Sequence, residues 1–548
     1  MGLMRRLEVD MPGVLGTTGI TLLVIGLAQL APAAVAFATG APALRLTLGA
    51  LAVVGVAGAL VPLRRQARKW TRRESLAIVL LSWLGAIIAS AVPFLVTGNL
   101  GLADALFESA SGITTTGATI YVDIDRLSTV PLPPEALAAP VVPALHLWRA
   151  LMHWLGGAGI VLVVVLLSPF LEDVEALRRT QRAETSLLTE RYRGSTKATM
   201  RGLLTVYVGA TTVFWFVLVA LGVGAWDALV HALSTLATGG YSNRSASLGA
   251  WGNVVQLVTA CFMVLGALNF ALLGRILEEV RTEVGRTAAA EGRLFAARFA
   301  LGAAPRLAAR GLWRSGEARG YLALLLAAAA AIALLLATSG DPRYRGAGGA
   351  WQGAVDAAFY VTSISTTTGF GTVDYTAWPV ACQAILLGLM VMGGCAGSTA
   401  GGIKVRRALI VLKYGYREVV RFAHPRAVMP IRLGGTVVPE EHVREALGFV
   451  TTYLTVVLGL GLIVALAGRD PVSTAGAAVS AVGSVGPGFG EVGPVGSFQA
   501  FPGWTKLALG VGMLLGRLEI LPVLTACVPS FWVRRGARAV AYEPPPAA

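Results

Sequence analysis

The chain has 548 residues, 55% hydrophobic and 14% charged, with a mean hydropathy of +0.69 and a formal charge of +15. A soluble globular domain carries about 25% charged residues, so the composition excludes a large soluble enzyme and indicates a polytopic membrane protein. Four cysteines, Cys261, Cys382, Cys395 and Cys527, lie in apolar or glycine-rich sequence without CxxC spacing, which argues against a disulfide framework or a zinc site.

Two apolar runs lead the chain, Val14–Phe37 and Ala43–Pro62, with no convincing small-residue cleavage site after them. Next come Ser75–Leu95, the short run ADALFESASGITTTG, and Pro143–Leu167. The same order recurs three times. Leu203–Val223 and Ala260–Leu277 flank WDALVHALSTLATGG; Tyr321–Leu336 and the short Trp378–Val391 flank VDAAFYVTSISTTTG; Phe449–Ala467 and Trp504–Leu524 flank VSTAGAAVSAVGSVG. Roughly 20 apolar residues cross a bilayer, so the longer runs count as ten spans and the brief ones as re-entrant helices. Each brief run ends at a glycine, Gly117, Gly239, Gly369 or Gly486, at steps of 122, 130 and 117 residues. Each also starts at a residue suited to helix N-capping. These are Asp104, Asp227, Asp356 and Ser473, lying 13, 12, 13 and 13 residues before the glycine. Four matched units therefore follow an N-terminal helix pair.

Alternate connecting segments hold 36 of the 45 Lys and Arg residues. The opposite set holds only Arg126, Arg244, Arg343, Arg345 and Arg469. This is the positive-inside pattern; it puts both termini and the basic links in the cytoplasm, and nucleic acid is not needed to explain the charge.

Non-helical backbone at membrane depth survives only where protein buries it or where it lines a water-filled cavity. Four re-entrant helices whose C-terminal ends carry partial negative charge predict such a cavity. Glycines let carbonyl oxygens turn toward one axis, the arrangement by which potassium-selective pores replace an ion's hydration shell. Further along, MGGCAGSTAGG, Met392–Gly402, has five glycines in eleven residues, too many for continuous helix. It reads either as a kinked, closely packed helix or as a loop within the membrane. Arg517 lies in the last apolar run, where an ionisable group is costly and faces an interior path or a carboxylate such as Glu519 or Glu108. Arg149 is expected to find a carboxylate or carbonyl. His146, His153 and His231 lack metal-ligand spacing and read as structural.

ESASGITTTGAT, LWRALMHWLGGAGIVLV, STLATGGYS, MGGCAGSTAGGIKVRR and GVGMLLGRLEILPVL resemble the Trk/Ktr/HKT superfamily of potassium transporters over nearly the whole chain. The two leading helices match its bacterial TrkH type. The resemblance implies an all-α membrane protein with two N-terminal helices and four helix–re-entrant helix–helix repeats around one pore. The divisions would be 1–66 for the helix pair, then 67–185, 186–310, 311–425 and 426–548 for the repeats. By resemblance, potassium is bound at a filter made by Thr115, Thr116 and Gly117; Ala237, Thr238 and Gly239; Thr367, Thr368 and Gly369; and Ser484, Val485 and Gly486. Ser484-Val485 departs from the Asn-Leu common there. A glycine at position 117, where some sodium-favouring plant relatives have serine, points to potassium. Gly393, Gly394, Gly397, Ser398, Thr399, Gly401 and Gly402 would form a gating loop beneath the filter, and Arg517 a positive barrier in the pore. Lys404, Arg406 and Arg407 would mark the return to the cytoplasm. The basic link from Leu277 to Glu317 is longer than usual and has no assigned role.

The implied activity is potassium uptake across the bacterial inner membrane, with a second copy of the chain and a cytosolic TrkA-like nucleotide-binding ring as partners. The alternative is the membrane subunit of an ATP-driven Kdp-type pump. A membrane-embedded enzyme would need a cluster of acids, nucleophile or metal ligands, and the sequence has neither that nor a Walker A motif.

Overall fold

Each apolar run becomes helix in the computed structural model, which describes residues 9–64, 70–131, 139–171, 196–291 and 305–532. The leading pair is α1 (Met11–Ala28), continued by α2 (Leu30–Ala38), and α3 (Ala43–Leu60). Leu22, Ile25 and Val53 belong to the same buried apolar cluster as Val79 and Trp83 of α4 (Arg72–Val96), so this pair leans on the first repeat. Helix α4 opens with a capping box: Thr71 accepts from the Glu74 amide, and the Glu74 carboxylate accepts from the Thr71 amide at 2.8 Å.

The first repeat continues with α5 (Leu102–Ile113) and α6 (Val142–Leu171), and the second has α7 (Thr196–Ala220), α8 (Ala225–Leu236), α9 (Asn253–Ala267) and α10 (Phe270–Glu291). The third has α11 (Gly316–Thr338), α12 (Gly346–Ser365), α13 (Val380–Met392) and α14 (Val405–Ala423). The fourth has α15 (Glu440–Ala465), α16 (Pro471–Gly483), α17 (Gly503–Arg517) and α18 (Leu521–Cys527). Between α14 and α15 lies a two-stranded hairpin, Arg432–Leu433 with Thr436–Val437. Its turn is Gly434-Gly435, both at positive φ, as a tight hairpin requires.

Among the described residues, six helical stretches are long and apolar enough to cross a membrane: Met11–Ala38, Ala43–Leu63, Arg72–Val96, Arg201–Ala220, Gly316–Thr338 and Glu440–Ala465. Two of the expected straight spans are instead broken. Ala260–Leu277 bends by 104° between α9 and α10, and Trp504–Leu524 bends by 119° between α17 and α18. At the first break the Asn269 carboxamide accepts from the Ala271 and Leu272 amides at 2.8 and 3.1 Å, starting a new helix in a new direction. At the second, Glu519 and Ile520 take positive φ and Pro522 sits in the first turn of α18. Helix α6 alone among the second helices of the repeats is unbroken over its 30 residues.

The expected N-caps are also displaced. Asp104 and Asp227 stand in the first turns of α5 and α8, whose N-caps are Gly101 and Gly224. An acid there complements the helix dipole rather than capping it. The cap of α16 is Asp470, which accepts from the Val472 and Ser473 amides, three residues before the expected Ser473. Asp356 lies inside α12, which starts ten residues earlier at Gly346. The segments 172–195 and 292–304 and both chain ends, which carry much of the charge behind the expected orientation, lie outside the described residues.

Candidate functional site

Four chain reversals at the ends of α5, α8, α12 and α16 have one geometry. The amides of Thr116, Gly239, Thr368 and Val485 reach back to the carbonyls of Ser111, Ser234, Ser363 and Ser480 at 2.9, 3.0, 2.9 and 3.1 Å. The residue before each of those amides is left-handed: Thr115, Thr238, Thr367 and Ser484 have φ of 55°, 54°, 54° and 55°. For a β-branched residue that conformation is a genuine outlier, costing about 1–2 kcal/mol. Two residues after each comes a glycine, Gly117, Gly240, Gly369 or Gly486, at φ of 82°, 77°, 80° and 100°.

The second repeat therefore runs one residue out of the expected register. Gly240, not Gly239, matches the other three glycines, and Gly239 occupies the place of Thr116, Thr368 and Val485. Ala237 falls back to the place of Thr114, and Thr238 takes that of Thr115. The sequence holds the signal: a serine stands six residues before each positive-φ glycine, at Ser111, Ser234, Ser363 and Ser480. Measured to Gly240, the odd 12-residue offset from Asp227 also becomes 13.

The four reversals close on one another. A Cβ on Gly117 would strike the Gly239 carbonyl oxygen, one on Gly240 the Thr368 oxygen, and one on Gly369 the Val485 oxygen. On Gly486 it would lie 2.8 Å from the Thr116 oxygen, completing the circuit. Each glycine thus makes room for the carbonyl that precedes the next glycine. Four oxygens, of Thr116, Gly239, Thr368 and Val485, share one ring, with four hydroxyl-bearing left-handed residues one position earlier. All four hydroxyl residues are buried, and the Thr115 and Ser484 hydroxyls have no hydrogen-bond partner among the described residues.

The glycine-rich segment between α13 and α14 is an irregular loop packed against these reversals. Gly393, Gly397 and Gly402 take φ of 69°, 73° and 74°. Gly394, Ser398, Thr399 and Gly401 are buried. The Gly401 amide donates to the Thr367 hydroxyl at 2.7 Å, and the Thr399 hydroxyl donates to the carbonyls of Gly266 and Leu236 at 2.9 and 3.2 Å. On its other side the loop is held by two residues that sequence reasoning missed. The Asn269 carboxamide donates to the Ala396 carbonyl, and the Ala396 amide donates to the Glu317 carboxylate, each at 2.8 Å. A single Asn inside the apolar LGALNFALL was the available clue.

Arg517 ends α17, is 3% exposed, and donates from Nη1 to the carbonyl of Thr399 in this loop. Its Nε and Nη2 have no partner among the described residues. The carboxylates weighed as partners are engaged elsewhere: Glu519 with Arg407 and Glu108 with Arg149, both at 2.8 Å. The three histidines make local hydrogen bonds: His146 with the Ile124 carbonyl, His153 with the Ser234 hydroxyl, and His231 with the Asp227 carbonyl and the Ser242 hydroxyl. Among the described residues no group of three His, Cys, Asp or Glu could hold a metal ion.

Residues 50–533 match the TrkH family, described as cation transport protein. The Trk system potassium uptake protein TrkI of Halomonas elongata is 33% identical, the match spanning 84% of each chain. The Trk system potassium uptake protein TrkH of Vibrio parahaemolyticus is 32% identical over 94% of this chain and 98% of that one. The crystal structure of the potassium transporter TrkH from Vibrio parahaemolyticus superposes with a TM-score of 0.77 at 29% identity, covering 95% of this chain and 99% of that one. A family match over this length, with relatives above 30% identity and the same helical architecture, leads to one assignment: the chain belongs to the TrkH family of membrane cation transporters.

Proposed function

We propose that this protein takes up potassium across the bacterial inner membrane through the ring formed by its four reversals. The observation that carries the reading is the closed circuit in which every positive-φ glycine abuts the carbonyl preceding the next. Carbonyls so arranged replace the hydration shell of a dehydrated cation. The hydroxyls of Thr115, Thr238, Thr367 and Ser484 offer four further oxygens at the inner end. The filter residues are then Thr115, Thr116 and Gly117; Thr238, Gly239 and Gly240; Thr367, Thr368 and Gly369; and Ser484, Val485 and Gly486. Entry is driven by the membrane potential, ~2.3 kcal/mol per charge per 100 mV.

The loop of Gly393–Gly402 obstructs the path below the ring, and Arg517 supplies a positive charge where a cation would leave. Opening requires the Gly401–Thr367 and Arg517–Thr399 hydrogen bonds to break. A cytosolic TrkA-like ring supplies the work through the basic links, and the transporter acts as a pair of copies. In this reading the repeats are 67–185, 186–310, 311–425 and 426–548, after the helix pair of 1–66. The relatives bear Trk-system uptake names, which speaks for this reading and against a Kdp-type pump subunit.

The test is cation flux into liposomes holding the purified protein, with a TrkA-like ring and ATP added to open the gate. Wild-type protein is expected to pass potassium over sodium, and Gly117→Ser to lose discrimination. Equal passage of both ions by wild type, or unchanged selectivity in Gly117→Ser, would refute the ring as filter.

A further inference from the structure

Nine residues before each positive-φ glycine stands a fully buried position, occupied by Glu108, His231, Tyr360 and Ala477. In three repeats its side chain reaches the chain just beyond that repeat's own glycine. Tyr360 accepts from the Thr372 and Val373 amides at 2.9 and 3.1 Å, and His231 meets the Ser242 hydroxyl at 3.0 Å. The Glu108 carboxylate accepts from the Thr119 hydroxyl at 3.1 Å and the Ile120 amide at 3.2 Å. Ala477 is too short to reach, and Tyr375 of the preceding repeat donates to the Gly488 carbonyl instead.

Only the first of these four braces is charged. Glu108 is paired with Arg149 at 2.8 Å, with both side chains at most 1% exposed. Arg149 spreads its guanidinium across two repeats. It donates to the Thr119 hydroxyl and the Ser242 carbonyl, each at 3.2 Å, and lies 3.9 Å from the centre of the Tyr241 ring. Tyr241 directly follows Gly240, and its hydroxyl donates to the carbonyls of Glu108 and Ala118 at 3.1 Å. One buried ion pair thus ties the residues immediately after Gly117 to those immediately after Gly240.

We propose that Glu108 and Arg149 are positioning residues that set the preference for potassium over sodium by fixing the first two quarters of the ring at one width. The proposal rests on the reading of the ring as the ion filter. Neither side chain belongs to the ring. They act through Thr119, Tyr241 and Ser242, as a planar, five-donor fork can and a lysine cannot.

The test titrates KCl or NaCl into the purified full chain by calorimetry, which does not require an open gate, and compares the ratio of the two dissociation constants. The double variant Glu108→Gln/Arg149→Gln removes both charges together and so leaves neither buried alone. Its melting temperature is expected to stay near wild type while the ratio falls about tenfold, equivalent to ~1.4 kcal/mol. A second variant, Tyr241→Phe, removes one neutral hydroxyl and is expected to lower the ratio about threefold. A purely structural role would lower the melting temperature and leave the ratio unchanged. A folded double variant with the wild-type ratio overturns the proposal; if the double variant fails to fold, an unchanged ratio in Tyr241→Phe overturns it. Gly117→Ser, titrated alongside, separates the two ideas. If it shifts the ratio and the brace variants do not, the brace alone fails; if it does not, the ring as filter fails and the brace falls with it.

Discussion

Thr115, Thr238, Thr367 and Ser484 hold a conformation that their own side chains oppose, and they hold it in all four repeats. Strain kept at equivalent sites is what a preorganised site stores, because the surrounding packing over-determines it. Replacing Thr238 by glycine separates strain from chemistry. Relief of the left-handed penalty, ~1–2 kcal/mol, offsets the loss of a small buried side chain, ~1 kcal/mol. Thr238→Gly is therefore expected to melt at about the wild-type temperature while binding potassium more weakly, as calorimetry can measure. The other singular residue is Arg517, a buried cation held by one carbonyl. At an effective dielectric of ~20 a unit charge ~8 Å from a cation opposes it by ~2 kcal/mol. Arg517→Gln is expected to raise potassium flux in liposomes by about tenfold or more, and a flux at or below wild type would remove its role as a barrier.

Among the helices, the second one of each repeat differs most from repeat to repeat. It is unbroken in the first repeat, bent in the second and fourth, and interrupted by the glycine-rich loop in the third. Asn269 joins two of these breaks, since it starts α10 and holds the loop through Ala396. Asn269→Ala is expected to cost about 0.5–2 kcal/mol as a lost cap. It should also free the loop, so that Cys395, buried there at 1% exposure, reacts faster with maleimide in a mass-spectrometric assay. Unchanged labelling at Cys395 would mean that Asn269 serves α10 alone. The spans were legible in the sequence because lipid demands long apolar runs, and the fourfold repeat because each unit reuses one order of elements. The bends were not. No glycine or proline stands at Leu518–Ile520; Pro522, which opens α18, was the one mark in the sequence, and the turn itself shows in the folded chain, where Glu519 meets Arg407. The one-residue slip at Gly239-Gly240 arose because two adjacent glycines satisfy the same pattern, and only the serine six residues earlier decides between them. Asp104 and Asp227 resembled caps because carboxylates suit the whole first turn of a helix, not its boundary alone.

Across the whole molecule, fourfold regularity of backbone coexists with four different sets of side chains. The ring is tight against Gly117, Gly240 and Gly369, and slacker at Gly486, where an added Cβ would stand 2.8 Å from the nearest oxygen. Serine substitution of the four glycines, one at a time, is therefore expected to be mildest at Gly486, with selectivity in liposome flux as the measure. Equal damage at all four would mean that the ring relaxes as a unit. The braces behind the ring differ more: a carboxylate with its guanidinium, an imidazole, a phenol, and an alanine relieved by a neighbour's phenol. A pore assembled from four identical subunits receives every mutation four times over and must survive it in all quarters at once. On the proposed reading of the ring as the ion filter, one codon here alters one quadrant, so heredity can explore ion preference in fractional steps, a quarter of the ring at a time.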